Sequence, residues 1–89
     1  MPVLPVGANT NPASLAGAIT RFIKEDQSVS LSCIGAGSNF SAGKALSIAK
    51  LYLSKERKGI IDRPRFEYVE ANGDRRSAVI HELETYPLT

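Results

Sequence analysis

Tryptophan is absent from this 89-residue chain, and cysteine, methionine and histidine occur once each. A lone Cys33 cannot form an internal disulfide, so the fold has to be held by its core alone. Cys33 lies in an apolar, strand-like stretch and reads as a buried structural thiol rather than a nucleophile. One histidine and one cysteine cannot furnish the ligand set of a structural zinc site, and no cofactor or metal is expected. No run approaches the ~20 apolar residues of a membrane span. The first residues show no charged-then-apolar leader pattern, so the expectation is a cytoplasmic protein with no membrane partner. Internal repeats and low-complexity tracts are also missing.

What is present is the composition of an ordinary folded domain, 43% apolar and 22% charged, which excludes a disordered chain. The length suits one domain, spanning 1–89, with a thin core. Such a core favours self-association, because a second copy covers what one leaves exposed. The net charge of +2 is too small to imply nucleic acid by itself, but its distribution is uneven. Residues 1–43 balance. Between Lys44 and Arg65, seven basic side chains (Lys44, Lys50, Lys55, Arg57, Lys58, Arg63 and Arg65) face only Glu56 and Asp62, and residues 66–89 are net acidic. A basic run of this kind is either a binding surface or a solvated helix end and loop.

Val3–Val6 reads as a short strand at a sheet edge, because Pro5 cannot donate to a ladder. Asn11 and Pro12 form a helix start, with Asn11 as N-cap and Pro12 at the first helical position. The helix runs to about Lys24, with Leu15, Ala16, Ile19, Phe22 and Ile23 on one face. Gly17, in mid-helix, suggests close packing against another backbone. Val29–Ile34 alternates as a strand does. Gly35–Asn39 reads as a turn, followed by a second helix from about Phe40 to Ser54 with Ala42, Ala45, Ile48, Ala49, Tyr52 and Leu53 inward. Lys55–Pro64 reads as a basic connector with Ile60-Ile61 as a possible short strand. Strands then span Arg65–Ala71 and Ser77–Glu84, joined at Asn72-Gly73, a strong hairpin signal, and Tyr86–Thr89 forms a tail. The order β-α-β-α-β-β predicts an α/β (α+β two-layer) domain with a mixed four-stranded sheet and both helices on one face.

A strand, a Gly-x-Gly turn and a helix can hold an anion, with glycines for backbone approach and a helix N-terminus for charge. Ser38, Asn39 and Ser41 could add donors. The turn is neither a dinucleotide fingerprint, since Phe40 stands where the third glycine belongs, nor a Walker loop, which Gly43-Lys44-Ala45 breaks. A turn that merely permits tight packing explains it equally well. His81 has no partner for metal binding and reads as a half-exposed strand histidine. Glu82 and Glu84 share a solvent-facing strand face, and no serine has a base partner, so no enzyme is expected.

Three stretches carry a resemblance. They are Asn11-Pro12-x-Ser14-Leu15-Ala16-Gly17-Ala18-Ile19; Ile34-Gly35-Ala36-Gly37-x-Asn39 with Lys44-Ala45-x-x-Ile48-Ala49-Lys50-x-Tyr52-Leu53; and Asn72-Gly73-x-x-Arg76-Ser77-Ala78-Val79. Across roughly residues 4–84 the chain resembles the bacterial stage V sporulation protein S family, departing from its pattern at Asn39–Lys44. The resemblance implies an Alba-like fold, whose members are often homodimers that bind DNA or RNA. It also implies a regulatory role in sporulation or another developmental programme. Carried onto this chain, it puts Gly35, Gly37, Ser38 and Asn39 with Lys44 near a nucleic-acid backbone, and Asn72–Arg76 at the tip of an arm.

Two functions follow as expectations. In a nucleic-acid-binding regulator, Lys44, Lys50, Lys55, Arg57, Lys58, Arg75 and Arg76 contact phosphates, with Ser38 or Asn39 at the helix start. No exposed aromatic platform for bases is evident, since a strand aromatic such as Tyr68 is more often core. In the alternative, the chain is an oligomeric interaction module, a homodimer or larger, that needs no nucleic acid. A nucleotide or other small ligand at Gly35–Asn39 is a third, less supported reading.

Overall fold

A computed structural model describes residues 2–89. In chain order the elements are β1 (Val3–Val6), α1 (Pro12–Lys24), β2 (Val29–Ile34), α2 (Ala36–Ser54), β3 (Lys58–Ala71) and β4 (Asp74–Pro87). The sheet order is β1-β2-β4-β3, with β1 parallel to β2 and the other pairs antiparallel. This is the mixed, two-layer α+β fold that the element order predicts.

Local chemistry sets the first three elements. β1 pairs only with β2, so Pro5 sits on an edge where a missing N–H is tolerated. The Asn11 side chain accepts a hydrogen bond from the Ser14 amide at 3.1 Å, and Pro12 opens α1. At the other end, Asp26 adopts a positive φ of 57°, and the amides of Asp26 and Gln27 bond back to the carbonyls of Ile23 and Phe22. That paired return closes the helix as a Schellman motif.

The core lies between the helices and one face of the sheet. Leu15, Ala16, Ile19 and Ile23 of α1 meet Ala42, Ala45, Ala49 and Leu53 of α2 over Val6, Val29, Leu31, Cys33, Ile60 and Leu83. The small side chains of α2 bring the two helices close together. Burying each larger side chain is worth roughly 1.5–3 kcal/mol, which makes this cluster the main stabilising feature of a small domain.

Four sequence expectations need correction. The second helix begins at Ala36 rather than near Phe40. Gly35 alone makes the turn, at φ 87° and ψ 161°, a conformation essentially restricted to glycine, so the residues after it are free to be helical. Tyr52 lies outside the core, 48% exposed near the helix end. A Cβ on Gly17 would meet nothing within 4 Å, so no backbone packs there.

The fourth correction is the largest. Of Lys55–Pro64 only Lys55–Arg57 form a connecting turn, Lys58–Pro64 being strand, and Tyr86 and Pro87 are no tail. β3 and β4 are continuous 14-residue strands paired from Lys58↔Pro87 to Ala71↔Asp74. Pro64 is accommodated because β3 is the other sheet edge. Gly59 is small because the Tyr86 ring lies across it. The turn at Asn72 (φ 54°) and Gly73 (φ 80°) has both residues left-handed, as a two-residue type I′ hairpin requires.

The lengths of the elements decide the shape. Fourteen extended residues reach about 45 Å, whereas the 19 residues of α2 reach about 28 Å. The hairpin therefore outruns the helical layer and projects as an arm, and the molecule measures 45 × 21 × 16 Å.

Candidate nucleic-acid interface

Where the arm leaves the body, the start of α2 faces the sheet. Gly35, Ala36 and Gly37 are exposed there, and no side chain caps the helix N-terminus. Gly37 has a packing reason for its size: a Cβ would lie 3.0 Å from the Ala8 Cβ in the loop after β1. Ser38 is fully buried, and its hydroxyl donates to the carbonyls of Ile34 and Gly35, both at 2.7 Å. It serves the turn and has no donor to offer outward. Ser41 is buried as well.

Asn39 is held from two sides. Its Nδ2 donates to the Gly35 carbonyl at 3.0 Å, and its Oδ1 lies 3.3 Å from His81 Nε2. The other ring nitrogen of His81 lies 3.0 Å from the Asp62 carboxylate. This chain ties β3, β4 and the first turn of α2 together at the root of the arm, and makes His81 a largely buried linker.

Side-chain alternation sorts the arm's residues. Phe66, Tyr68, Glu70, Arg75, Ser77 and Val79 fall on the face that continues the core face, beyond the reach of the helices, with Glu70 directly opposite Arg75. Phe66 and Tyr68 are 61% and 59% exposed, with ring centroids 5.0 Å apart in an edge-to-face contact. The Arg75 guanidinium lies 4.1 Å from the Tyr68 ring centroid. These are the exposed aromatics that the sequence analysis did not find. The signal was available: Asn72-Gly73 fixes the register, which pairs Tyr68 with Ser77 and Phe66 with Val79. Phe66, together with Cys33, Gly35, Ala36, Asn39, Ser77, Ala78 and Val79, lines a depression of about 230 Å³. No acidic side chain lines it.

The opposite face of the arm is different. Arg76 falls there, pointing opposite to Arg75 because the two are adjacent in the strand. Arg63 pairs with Glu84 at 3.3 Å, and Arg65 pairs with Glu67 and Glu82. Hydrogen bonding to Glu67, followed by Glu82, raises the pKa of Arg65 above its ordinary value. Lys58 is bound by Asp26 and the Lys24 carbonyl. Much of the basic run read from the sequence is thus neutralised within the fold.

Lys44, Lys50, Lys55, Arg57, Arg75 and Arg76 make no ion pair among the described residues. They do not form one patch. Lys44 is exposed beside the α2 start, its Nζ 5.4 Å from the Phe40 ring centroid. Lys50 is exposed six residues on, about 120° away around the helix axis. Lys55 and Arg57 lie past the far end of α2, roughly 28 Å from Gly35. The structure therefore brings Gly35 and Asn39 together with Phe66 and Ser77 at the root of the arm, sets Arg75 further out on the same face of the arm, and leaves Lys44, Lys50, Lys55, Arg57 and Arg76 outside that region.

Cys33 is fully buried under this region. Desolvation, aided by the nearby Asp62 carboxylate, pushes its pKa from 9.0 to about 11, so the thiol is inert at neutral pH. No three metal-binding side chains cluster among the described residues, and no helix among them is long and apolar enough to cross a membrane.

The family model for stage V sporulation protein S matches residues 2–86 of the 89. The chain belongs to that family, a sporulation-related one, as its sequence motifs suggested.

Proposed function

We propose that this member of the stage V sporulation protein S family is a small regulatory protein that binds nucleic acid with the inner face of its hairpin arm and the adjoining start of α2. One observation carries the reading: Phe66 and Tyr68 stand open on that face with Arg75 stacked on Tyr68. Aromatic rings and arginine side by side suit both halves of a nucleotide, since the rings accept a base and the guanidinium a phosphate. The uncapped amides of α2 add positive potential beside it, and Lys44 adds charge on the outward side of the same helix. Lys50 and Arg76 supply further, more distant charge. No catalytic role is assigned.

The test is fluorescence anisotropy with labelled duplex DNA, single-stranded DNA and RNA over a salt series. Three or four phosphate contacts predict a roughly 40- to 150-fold weaker affinity at 200 mM than at 50 mM salt. Charge reversal at Arg75 and Lys44 should abolish binding while leaving the melting temperature nearly unchanged. Failure of all three nucleic acids to bind at low salt, or affinity indifferent to salt, refutes the proposal.

A second reading, an oligomeric interaction module, is favoured by a separate feature. Phe40 and Leu51, each 68% exposed, lie with Lys44 and Ser47 along one outward stripe of α2. Light scattering on the wild type and on Phe40→Ser/Leu51→Ser decides it: an oligomer that the double variant dissolves supports assembly.

A further inference from the structure

We infer that the depression between Phe66 and the first turn of α2 receives one unpaired nucleobase, so that single strands are the preferred ligand. The inference rests on nucleic-acid binding by this face and goes beyond it, because phosphate contacts alone would not distinguish a single strand from a duplex.

The shape and chemistry of the depression point to a base. It is an open depression of about 230 Å³, with room for a planar ring against Phe66. Phe66 forms one wall, 61% exposed, with the Tyr68 ring in edge-to-face contact beside it. Cys33, Ala36 and Val79 give apolar lining, with the backbone of Ala78 between them. A base inside a duplex is already stacked on both faces and cannot enter such a space without being extruded, at a cost that a single strand avoids.

Two polar groups give the depression a hydrogen-bonding edge. Asn39 spends one N–H on Gly35 and one lone pair of Oδ1 toward His81, which leaves one donor and one acceptor. Its orientation is set by those two bonds, so the free donor and acceptor are presented in a fixed sense. The Ser77 hydroxyl makes no hydrogen bond among the described residues and lines the same space. A donor–acceptor pair of this kind matches the edge of a base, which duplex pairing would otherwise occupy. Arg75, one step further along the arm, is positioned by Tyr68 for the neighbouring phosphate.

The experiment compares labelled oligothymidine, oligouridine and an oligothymidine–oligoadenine duplex against wild type, Phe66→Ala, Phe66→Trp and Arg75→Glu. Phe66 is exposed, so Phe66→Ala folds, and its melting curve verifies this. Loss of one stacked base predicts about 5- to 150-fold weaker single-strand binding for Phe66→Ala, a smaller loss for the duplex, and recovery in Phe66→Trp. Arg75→Glu should weaken every ligand. Equal affinity for duplex and single strand, with Phe66→Ala indifferent to both, overturns the base site and leaves nucleic-acid binding standing. Absence of binding to all three overturns both, and would leave the depression to an aromatic side chain of a protein partner.

Discussion

Replacing Gly17 by alanine should make the protein more stable, and the size of the gain follows from the structure. Gly17 lies in the middle of α1, is exposed, and a Cβ there meets nothing within 4 Å. Alanine is about 0.8–1.0 kcal/mol better than glycine inside a helix, chiefly because it has less backbone freedom to lose on folding. With no contact to offset it, most of that difference should appear as stability, about 0.5–1 kcal/mol. A domain of this size holds only about 4–13 kcal/mol in total. Its melting temperature should therefore rise by about 2–8 °C. Gly37→Ala is the control, since its Cβ would press to 3.0 Å on Ala8 Cβ and 3.4 Å on Ala8 Cα. That loop is anchored by bonds between Gly7 and Thr10 at 2.8 and 3.2 Å, so it gives way reluctantly, and the substitution should destabilise. Thermal melts by circular dichroism at one protein concentration, with urea titrations checking that m is unchanged, measure both. A lower melting temperature for Gly17→Ala would refute the reasoning and mean that another body packs on that helix face.

Leu83→Ala should cost about 2–5 kcal/mol in urea unfolding, because Leu83 is fully buried on β4, paired with Val29 and Asp62 beneath the helices. Gly35→Ala should cost about 1–3 kcal/mol, since its φ of 87° and ψ of 161° strain any side-chain-bearing residue even though space is open around it. For Cys33, the unfolded thiol ionises from pH 9.0 upward while the folded one keeps its proton to about pH 11. The native state then binds more protons across that window, so this contribution is complete below pH 9 and fades as pH rises to 11. At about 1.4 kcal/mol per unit, it amounts to roughly 3 kcal/mol. The difference in stability between wild type and Cys33→Ala, followed from pH 8 to 11, should shrink accordingly.

How much was legible in the chain varied with the range of the interaction. β1, α1 and β2 fell where their local signals put them, because Pro5, the Asn11–Pro12 cap and the Val29–Ile34 alternation act on neighbours within a few residues. The Asn72-Gly73 turn was equally clear. α2 begins four residues before the point its sequence pattern predicts, since Gly-Ala-Gly-Ser-Asn has little helical signal until the Ser38 hydroxyl closes the turn onto Ile34 and Gly35. The family, too, could be read from motifs.

The sequence by itself therefore determined the element order, the two-layer fold class, the burial of Cys33 and the hairpin register. Tertiary structure alone decided how far the hairpin runs past the helices, and with it which residues are available to a ligand. Phe66 and Tyr68 have the pattern of core positions and would be core under a longer helix. They are exposed because α2 ends its cover of the sheet at Gly35, while the strands continue to Ala71 and Asp74. The same holds for charge: Arg63 and Arg65 count as free cations along the chain, and only strand pairing sets them against Glu84 and Glu82. Local chemistry chooses each element's type, but the relative lengths and register of packed elements choose which side chains remain open.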